Sequence, residues 1–547
     1  MSAMGVQRIT SDDHRYPGLV RGNNARWSGT PDTIYVPETR ADIAVAFREM
    51  RQDRASFAVR GGGHCYLDSV YNDRTDCVMD LGLVNQVFHD QEHKAISVDA
   101  GCRLGEVYKH LYRRWGVTIP GGSCATVGVG GHVSGGGYGL LSRLYGITVD
   151  YLWGVEVVTA SGEVKLGTRD HPENSEEHRL WWCHTGGGGG NFGVVTRFLF
   201  RSANSDGTDP TECLPPAPAK ALMHSLKIPW GDPDEDPSWL SDLLGDYASW
   251  CADRGDPPQG EPQVAGSHAD IGPDTATNRL FGLFRVRVPR SVPENWALDL
   301  TVQVAMLQDT AVERRLAERV LDEFRGEVIE GAVTPSGVGE VVEELPWLVA
   351  TEWLSGGDWY DRAKQKSAYH LSLTEEQGAQ IVHRFHEYEG ATGDHREDGR
   401  GALAQLDTYG GAANHPPHGT AQSHRDSTIK VQYQAYWHGD HAGRPVNQRE
   451  QDLAHVRWLN SAYHAIYATG GGDGFPQRAH EKGEDGPCTV TDGCFVNYLD
   501  DDLVRAGDEQ LAAKLYWAPR TREKLIRCKA QLDPERVFST AQDIPGP

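Results

Sequence analysis

The sequence predicts an α+β chain of two domains. Three observations carry this. At 547 residues the chain exceeds what one simple hydrophobic core serves. Its first two hundred residues alternate short apolar runs with helical patterns and end in dense glycine. Beyond residue 220 the habit changes to long helices and long alternating strands.

Residues 33–36, 57–59, 78–81 and 95–99 read as short strands. A helix is expected over 37–50, with Ile43, Phe47 and Met50 on one face. Leu104, Val107, Tyr108, Leu111 and Trp115 mark the face of a second helix. Residues 155–159 and 164–166 flank a Ser161-Gly162 turn, a hairpin signal. The apolar cluster 180–183 precedes the glycine run 186–190, and a strand is expected to run from there to Phe200. The proline-rich stretch 202–220 reads as a linker.

In the second part, 312–325 has a helical pattern. Residues 430–437 alternate, with Gln432, Gln434 and Tyr436 on one face and Val431, Tyr433, Ala435 and Trp437 on the other. That suits a half-buried antiparallel sheet. Its polar face either lines a substrate cavity or is an ordinary solvated face. Segments 389–426 and 470–494 are expected as surface loops. A helix over 521–532 should stop at Asp533-Pro534. The expected domains are 1–205, 206–489, and 490–547 returning to the first.

The chain carries 53 basic and 77 acidic residues, a formal charge of −24. Such a field repels phosphate backbones and anionic membranes, so neither nucleic acid nor membrane is expected as a partner. The charge does not give the sign of a substrate, and nothing gives the oligomeric state. There is no apolar run long enough for a bilayer and no signal-peptide core near the start, so a cytoplasmic address is expected. The ten cysteines form no CxxC pair, and most read as small buried hydrophobes. Cys488 and Cys494 are close enough to bridge, which a cytosolic address disfavours.

The chemistry concentrates in two glycine loops. Arg60-Gly61-Gly62-Gly63-His64-Cys65 follows an expected strand, at the end where α/β folds put ligands. The stretch 120–146, PGGSCATVGVGGHVSGGGYGLLSRLYG, holds Cys124, His132 and Tyr138. Glycine admits positive φ and close backbone approach to a ligand. Backbone N–H groups there could cradle a phosphate. The P-loop pattern is absent, and GxGxxG with its distant acidic residue is not convincingly placed. Metal ligation by His64, Cys124, Cys65 and His132 is the main alternative; their spacing matches no usual site, and no metal is expected. Inert burial is the other.

The pairing of RGGGH with PGGxCxxVGVGGHxxGGGYG resembles the berberine-bridge-enzyme-like branch of the vanillyl-alcohol oxidase/p-cresol methylhydroxylase flavoproteins. The resemblance covers most of 33–200, through Gly190, Asn191, Gly193, Val194 and Val195, and resumes at Val496-Asn497-Tyr498. It implies a PCMH-type domain binding FAD, with His64 joined to the 8α-methyl carbon and Cys124 to carbon 6. Both are nucleophiles whose reactivity needs deprotonation. The same stretches supply the remaining expected FAD contacts: Ser69, Gly122, Gly128, Gly130, Gly131, Gly135, Gly136 and Gly139. His132 either hydrogen-bonds near the flavin or packs in its loop. Val127 falls where the family gates oxygen, or is a plain core valine.

The implied reaction takes a proton from a hydroxyl and a hydride from its carbon to flavin N5, with O2 then giving peroxide. The resemblance names Tyr498 as base, with Tyr138 nearby; Tyr409 is a third candidate. A tyrosine base needs a depressed pKa or concerted transfer, which a neighbouring cation would aid. Relatives often carry Tyr where this chain has Phe495. The expected substrate is a bulky small molecule, a sugar or glycosylated or polyketide-type natural product, with Gln432, Gln434 and Tyr436 as candidate contacts. An oxidative cyclase of secondary metabolism and a flavin-carrying binding protein are the competing readings.

Overall fold

The computed structural model describes residues 6–53, 55–230, 237–254, 276–288, 296–330, 339–355, 362–388, 401–437, 448–469, 472–478, 490–505, 510–540 and 543–546. Cys488 lies outside them, as do parts of 389–426 and 470–494.

Three sheets organise the chain. The first contains β1 (Gln7–Ile9), β2 (Thr33–Val36), β3 (Phe57–Arg60) and β4 (Cys77–Asp80), in the order β1-β2-β4-β3. β2, β4 and β3 run parallel, so the connection from β2 to β3 must cross over. The helix Arg40–Gln52 makes that crossover. It begins three residues later than the sequence suggests because Thr39 and Asp42 close a capping box. Ile43, Phe47 and Met50 bury its inner face.

The second sheet is antiparallel: β5 (Val87–Asp90), β6 (Ala95–Asp99), β7 (Leu152–Val158), β8 (Val164–Thr168) and β9 (Val194–Phe200), ordered β5-β6-β9-β7-β8. The helix Leu104–Trp115 buries Leu104, Val107, Tyr108 and Leu111 and stops at Gly116, whose φ of 66° ends the helix without a Cβ clash. The C-terminal helix Pro519–Leu532 returns to this region. Lys529 Nζ, at its end, donates to the Asn191 carbonyl at 2.7 Å, and Trp517 donates to the Gly186 carbonyl at 2.9 Å. The Phe538 ring stacks on Phe47 at 5.5 Å.

The third sheet has seven antiparallel strands: β10 (Lys220–Pro229), β11 (Leu280–Val288), β12 (Trp296–Met306), β13 (Gly339–Pro346), β14 (Arg362–His370), β15 (Gly401–Thr408) and β16 (Ile429–Trp437), ordered β13-β10-β12-β11-β15-β16-β14. One face packs on the helices Ser238–Asp253, Ala311–Val328, Glu375–His386 and Gln448–Tyr467 through residues such as Leu300, Val302, Phe284, Leu406 and Val431. The other face turns toward the first two sheets.

Two expectations need correction. Residues 389–426 are not simply a surface loop: β15 sits between β11 and β16 in the sheet centre, with Ala402, Ala404 and Leu406 buried. Its alternation is short and lies among Gly, His and charged residues that read as loop. The stretch 202–220 is stitched down: Cys213 and Leu214 are buried, and the Thr118 N–H donates to the Pro215 carbonyl. Its prolines remove donors while their carbonyls still accept.

Candidate active site

One cavity of about 990 Å³ lies between the glycine loops and the inner face of the seven-stranded sheet. That is the upper end for a small-molecule site. One wall is backbone. The loop leaving β3 and the loop before the short helix Val129–Ser134 meet at Gly62 and Gly128. A Cβ on Gly128 would stand 2.1 Å from Gly62 N, and one on Gly62 2.3 Å from Gly128 N, so neither position admits a side chain. Gly63 takes a φ of 77°.

His64 and Cys124 leave these two loops and converge on one hydroxyl. His64 Nε2 lies 3.0 Å from Thr126 Oγ1, and Cys124 Sγ lies 3.5 Å from the same oxygen. His132 is half-buried, and its partial removal from water, with Lys430 nearby, lowers its pKa to about 4. Its neutral Nε2 accepts from the Gly122 N–H at 3.3 Å, which leaves the proton on Nδ1. Its carbonyl accepts from Asn497 Nδ2 at 3.0 Å, fixing the 497–498 segment to this wall.

The opposite wall is made of side chains from alternate positions: Ser225 and Lys227 on β10, Arg285 and Arg287 on β11, Asp299 and Thr301 on β12, Gln405 and Asp407 on β15, and Lys430, Gln432, Gln434 and Tyr436 on β16. Lys430 is its pivot. Its ammonium is 2.9 Å from Asp407 Oδ2 and donates to the Tyr498 hydroxyl at 3.1 Å. It also lies over the rings of Tyr138, Phe495 and Tyr498 at 4.9, 5.5 and 4.7 Å. Burial raises the Tyr498 pKa; Lys430 opposes this without cancelling it. Asp407 raises the Lys430 pKa against the lowering effect of burial, so the lysine stays charged. Tyr66 closes the side, its ring 5.9 Å from Tyr498 and its hydroxyl accepting from Gln432 Nε2 at 3.4 Å.

The FAD binding domain family matches residues 31–167, and the berberine and berberine-like family matches 494–545. The aclacinomycin-N/aclacinomycin-A oxidase of Streptomyces galilaeus is 34% identical over 99% of this chain and 90% of its own length. The chain belongs to the berberine-bridge-enzyme-like FAD-linked oxidases. The hexose oxidase of Chondrus crispus is 28% identical over 97% of this chain and 94% of that protein. Two solved structures superpose on the whole fold. A flavoenzyme involved in shunt product recycling in caerulomycin biosynthesis gives a TM-score of 0.82 at 30% identity, covering 99% of this chain and 100% of that one. A glycopeptide hexose oxidase complexed with teicoplanin gives 0.81 at 31%, covering 99% of each.

The residues fit FAD. Gly131 lines the cavity, and a Cβ there would meet no atom within 4 Å, so the missing side chain leaves ligand space. Asn191 Oδ1 is buried without a hydrogen-bond partner among the described residues, on the same wall, and can accept from a ligand donor. Among the described residues no helix is long and apolar enough to cross a membrane.

Most candidates from the sequence line this cavity: Arg60, Gly61, Gly62, Gly63, His64, Cys65, Ser69, Gly122, Cys124, Val127, Gly128, Gly130, Gly131, His132, Tyr138, Gly139, Gly190, Asn191, Gly193, Val194, Val195, Gln432, Gln434, Tyr436, Asn497 and Tyr498. Gly135 and Gly136 do not. A Cβ on Gly135 would stand 2.0 Å from Asn497 Oδ1, so that glycine makes room for Asn497, and Gly136 packs on Gln422. Tyr409 is also misplaced as a base. It is fully buried behind Tyr138, ring on ring at 4.7 Å, and its hydroxyl donates to the His424 carbonyl. Tyr138 shows the cavity its ring, while its hydroxyl donates to the Thr408 carbonyl. The sequence reading missed Lys430, Asp407 and Tyr66. Lys430 was within reach of it, since it shares the alternating face of Gln432, Gln434 and Tyr436.

Proposed function

We propose that this oxidase removes a hydride from the carbon of a hydroxyl group on a sugar or a glycosylated natural product. The observation that carries the reading is the Tyr498 hydroxyl, held by Lys430 at 3.1 Å in the cavity that His64 and Cys124 also line. Tyr498 takes the hydroxyl proton. Its phenol is neutral at rest, because burial outweighs the lysine. The reacting form is therefore the phenolate, a minor fraction that has first released its own proton to solvent and that the adjacent ammonium stabilises; it takes the substrate's hydroxyl proton as the hydride leaves and returns to the neutral phenol. Amide and hydroxyl groups on the sheet wall suit a hydroxyl-rich substrate. The relatives named for aclacinomycins, hexose and glycopeptide hexose support that class.

FAD bound against the glycine wall supplies the two-electron acceptor, with O2 as the final oxidant and hydrogen peroxide as co-product. His64 and Cys124 are its attachment points: both reach Thr126, so they converge on a patch small enough to be one edge of a ring. The wall at 1–205 and 490–547 is the cofactor domain, and 206–489 the substrate domain.

The test is Tyr498→Phe in the holoenzyme, mixed anaerobically with a sugar found by peroxide screening. Flavin reduction should slow by about 10²–10⁴, the usual worth of acid–base catalysis, with flavin still attached after acid precipitation. Wild-type reduction should also climb through alkaline pH as the phenol with its raised pKa ionises, and the climb should vanish in the variant. Reduction at the wild-type rate would show that Tyr498 is not the base.

A further inference from the structure

Strand register turns the sheet wall into a grid. One row across β10, β12, β11, β15 and β16 reads Ser225, Thr301, Leu283, Asp407, Lys430. The next row reads Lys227, Asp299, Arg285, Gln405, Gln432, and Arg287 begins a third beside Leu403 and Gln434. The first row holds the Tyr498 machinery. Among the described residues the others hold three cations against the single carboxylate of Asp299.

Asp299 cannot balance all three. It accepts from Arg287 Nη1 at 2.9 Å and stands 3.6 Å from Arg285 Nη1. Lys227 faces it across the β10/β12 pair but has no side-chain partner among the described residues. Arg285 is aimed by its neighbours: its Nε donates to Gln405 Oε1 at 2.8 Å, and Gln405 Nε2 donates to Asp407 Oδ1 at 2.8 Å. A surplus of two positive charges among the described residues of these rows is no by-product of a basic chain, since the formal charge is −24.

We infer that Lys227, Arg285 and Arg287 form a subsite for an oxyanion on the substrate, a carboxylate foremost, so that the enzyme selects an acidic oligosaccharide or glycoside. This rests on Tyr498 being the base. A guanidinium presents a planar fork that matches a carboxylate, and a charged partner strengthens each hydrogen bond. Arg285 lies two strands and one row from Lys430, roughly 12 Å at about 4.8 Å per strand and about 6.8 Å per pleat repeat. The acid group therefore sits beyond the ring being oxidised, on a neighbouring residue of the same molecule.

The experiment compares three ligands on the holoenzyme: cellotriose, the same trisaccharide ending in glucuronic acid at its non-reducing end, and one sulfated on that terminal ring. Binding is read by calorimetry and turnover by peroxide release. The acidic ligands should bind about tenfold or more tighter than cellotriose, as a charged hydrogen-bonding partner typically yields, and KM should fall accordingly. Arg285→Gln and Arg287→Gln should each shrink the acid-to-neutral ratio toward one. Lys227→Gln, which breaks no side-chain hydrogen bond or ion pair among the described residues, should lower it while leaving the melting temperature in place. Equal gains from sulfate and carboxylate support a general oxyanion subsite, and a gain from carboxylate alone supports the planar fork. Equal affinity for the neutral and acidic ligands overturns the inference. So does an unchanged ratio with loss of flavin in the arginine variants, which would assign the cations to the cofactor. Acid-selective binding with no flavin reduction by any hydroxyl compound would refute the base and leave the subsite standing.

Discussion

The two walls of the cavity are built from different material. The cofactor wall is backbone, and its shape depends on side chains being absent: Gly62 touches Gly128, and a Cβ on Gly139 would stand 2.0 Å from the Gly121 carbonyl oxygen. The wall proposed for the substrate is a sheet face whose backbone is fixed by register and whose chemistry depends on which side chains are present. A substitution on the first wall breaks geometry. On the second it changes selectivity or rate and leaves the fold in place, unless it strands a charge.

The largest effect is expected from Gly128→Ala. Its Cβ would meet the backbone of Gly61 and Gly62 in the facing loop, which cannot swing away as a side chain can. The variant should yield little folded holoenzyme, measured as flavin absorbance per milligram of purified protein. Gly131→Ala makes the comparison sharp, because its Cβ meets nothing within 4 Å. That variant should fold, gaining up to about 1 kcal/mol from better helix propensity, yet load less flavin. Equal loading in the two variants would show that the glycines matter for folding alone.

The exception on the substrate wall is Lys430. Lys430→Met leaves the buried Asp407 carboxylate with the Gln405 amide and no counter-ion. Breaking such a pair costs about 3–5 kcal/mol, so the variant should unfold at lower denaturant. Adding Asp407→Asn should recover much of that stability. It should not recover the rate of flavin reduction, since the ammonium beside Tyr498 is still missing. A double variant that regains the rate would make Lys430 structural only.

The same contrast decides what the sequence could show. The glycine wall was legible, because excluding a side chain leaves a mark at fixed positions: RGGGH and the run around Cys124 can be read without a structure. The place of Tyr498 in the cavity was legible through its Asn-Tyr pair. The substrate wall was not, because an alternating strand reads the same whether its polar face meets water or a ligand. Lys430 shares a face with Gln432 and Gln434, but its partner Asp407 comes from a strand hidden in a stretch of loop-like composition. Tyr409 failed as a base for a related reason: burial behind Tyr138 is a tertiary fact that its Tyr-Gly-Gly setting does not encode.

Val127 tests where the comparison stops, since it is a side chain acting on the backbone wall. It lies between Cys124 and Gly128, half-buried, and lines the cavity. Its carbonyl accepts from the Leu104 N–H at 3.0 Å, so its backbone is pinned and only the isopropyl group can vary. Val127→Leu adds one methylene to the cavity lining with no change in charge or hydrogen bonding. If the valine leaves a path for oxygen beside the flavin, reoxidation should slow by about tenfold, the low end of what one methylene does in a tight site. Anaerobic reduction by substrate should change less, because the Lys430–Tyr498 pair belongs to other elements. Stopped-flow traces of the two half-reactions separate the outcomes. Equal slowing of both would mean that leucine merely displaces the cofactor, and that this wall acts through its backbone at Val127 as it does at the glycines.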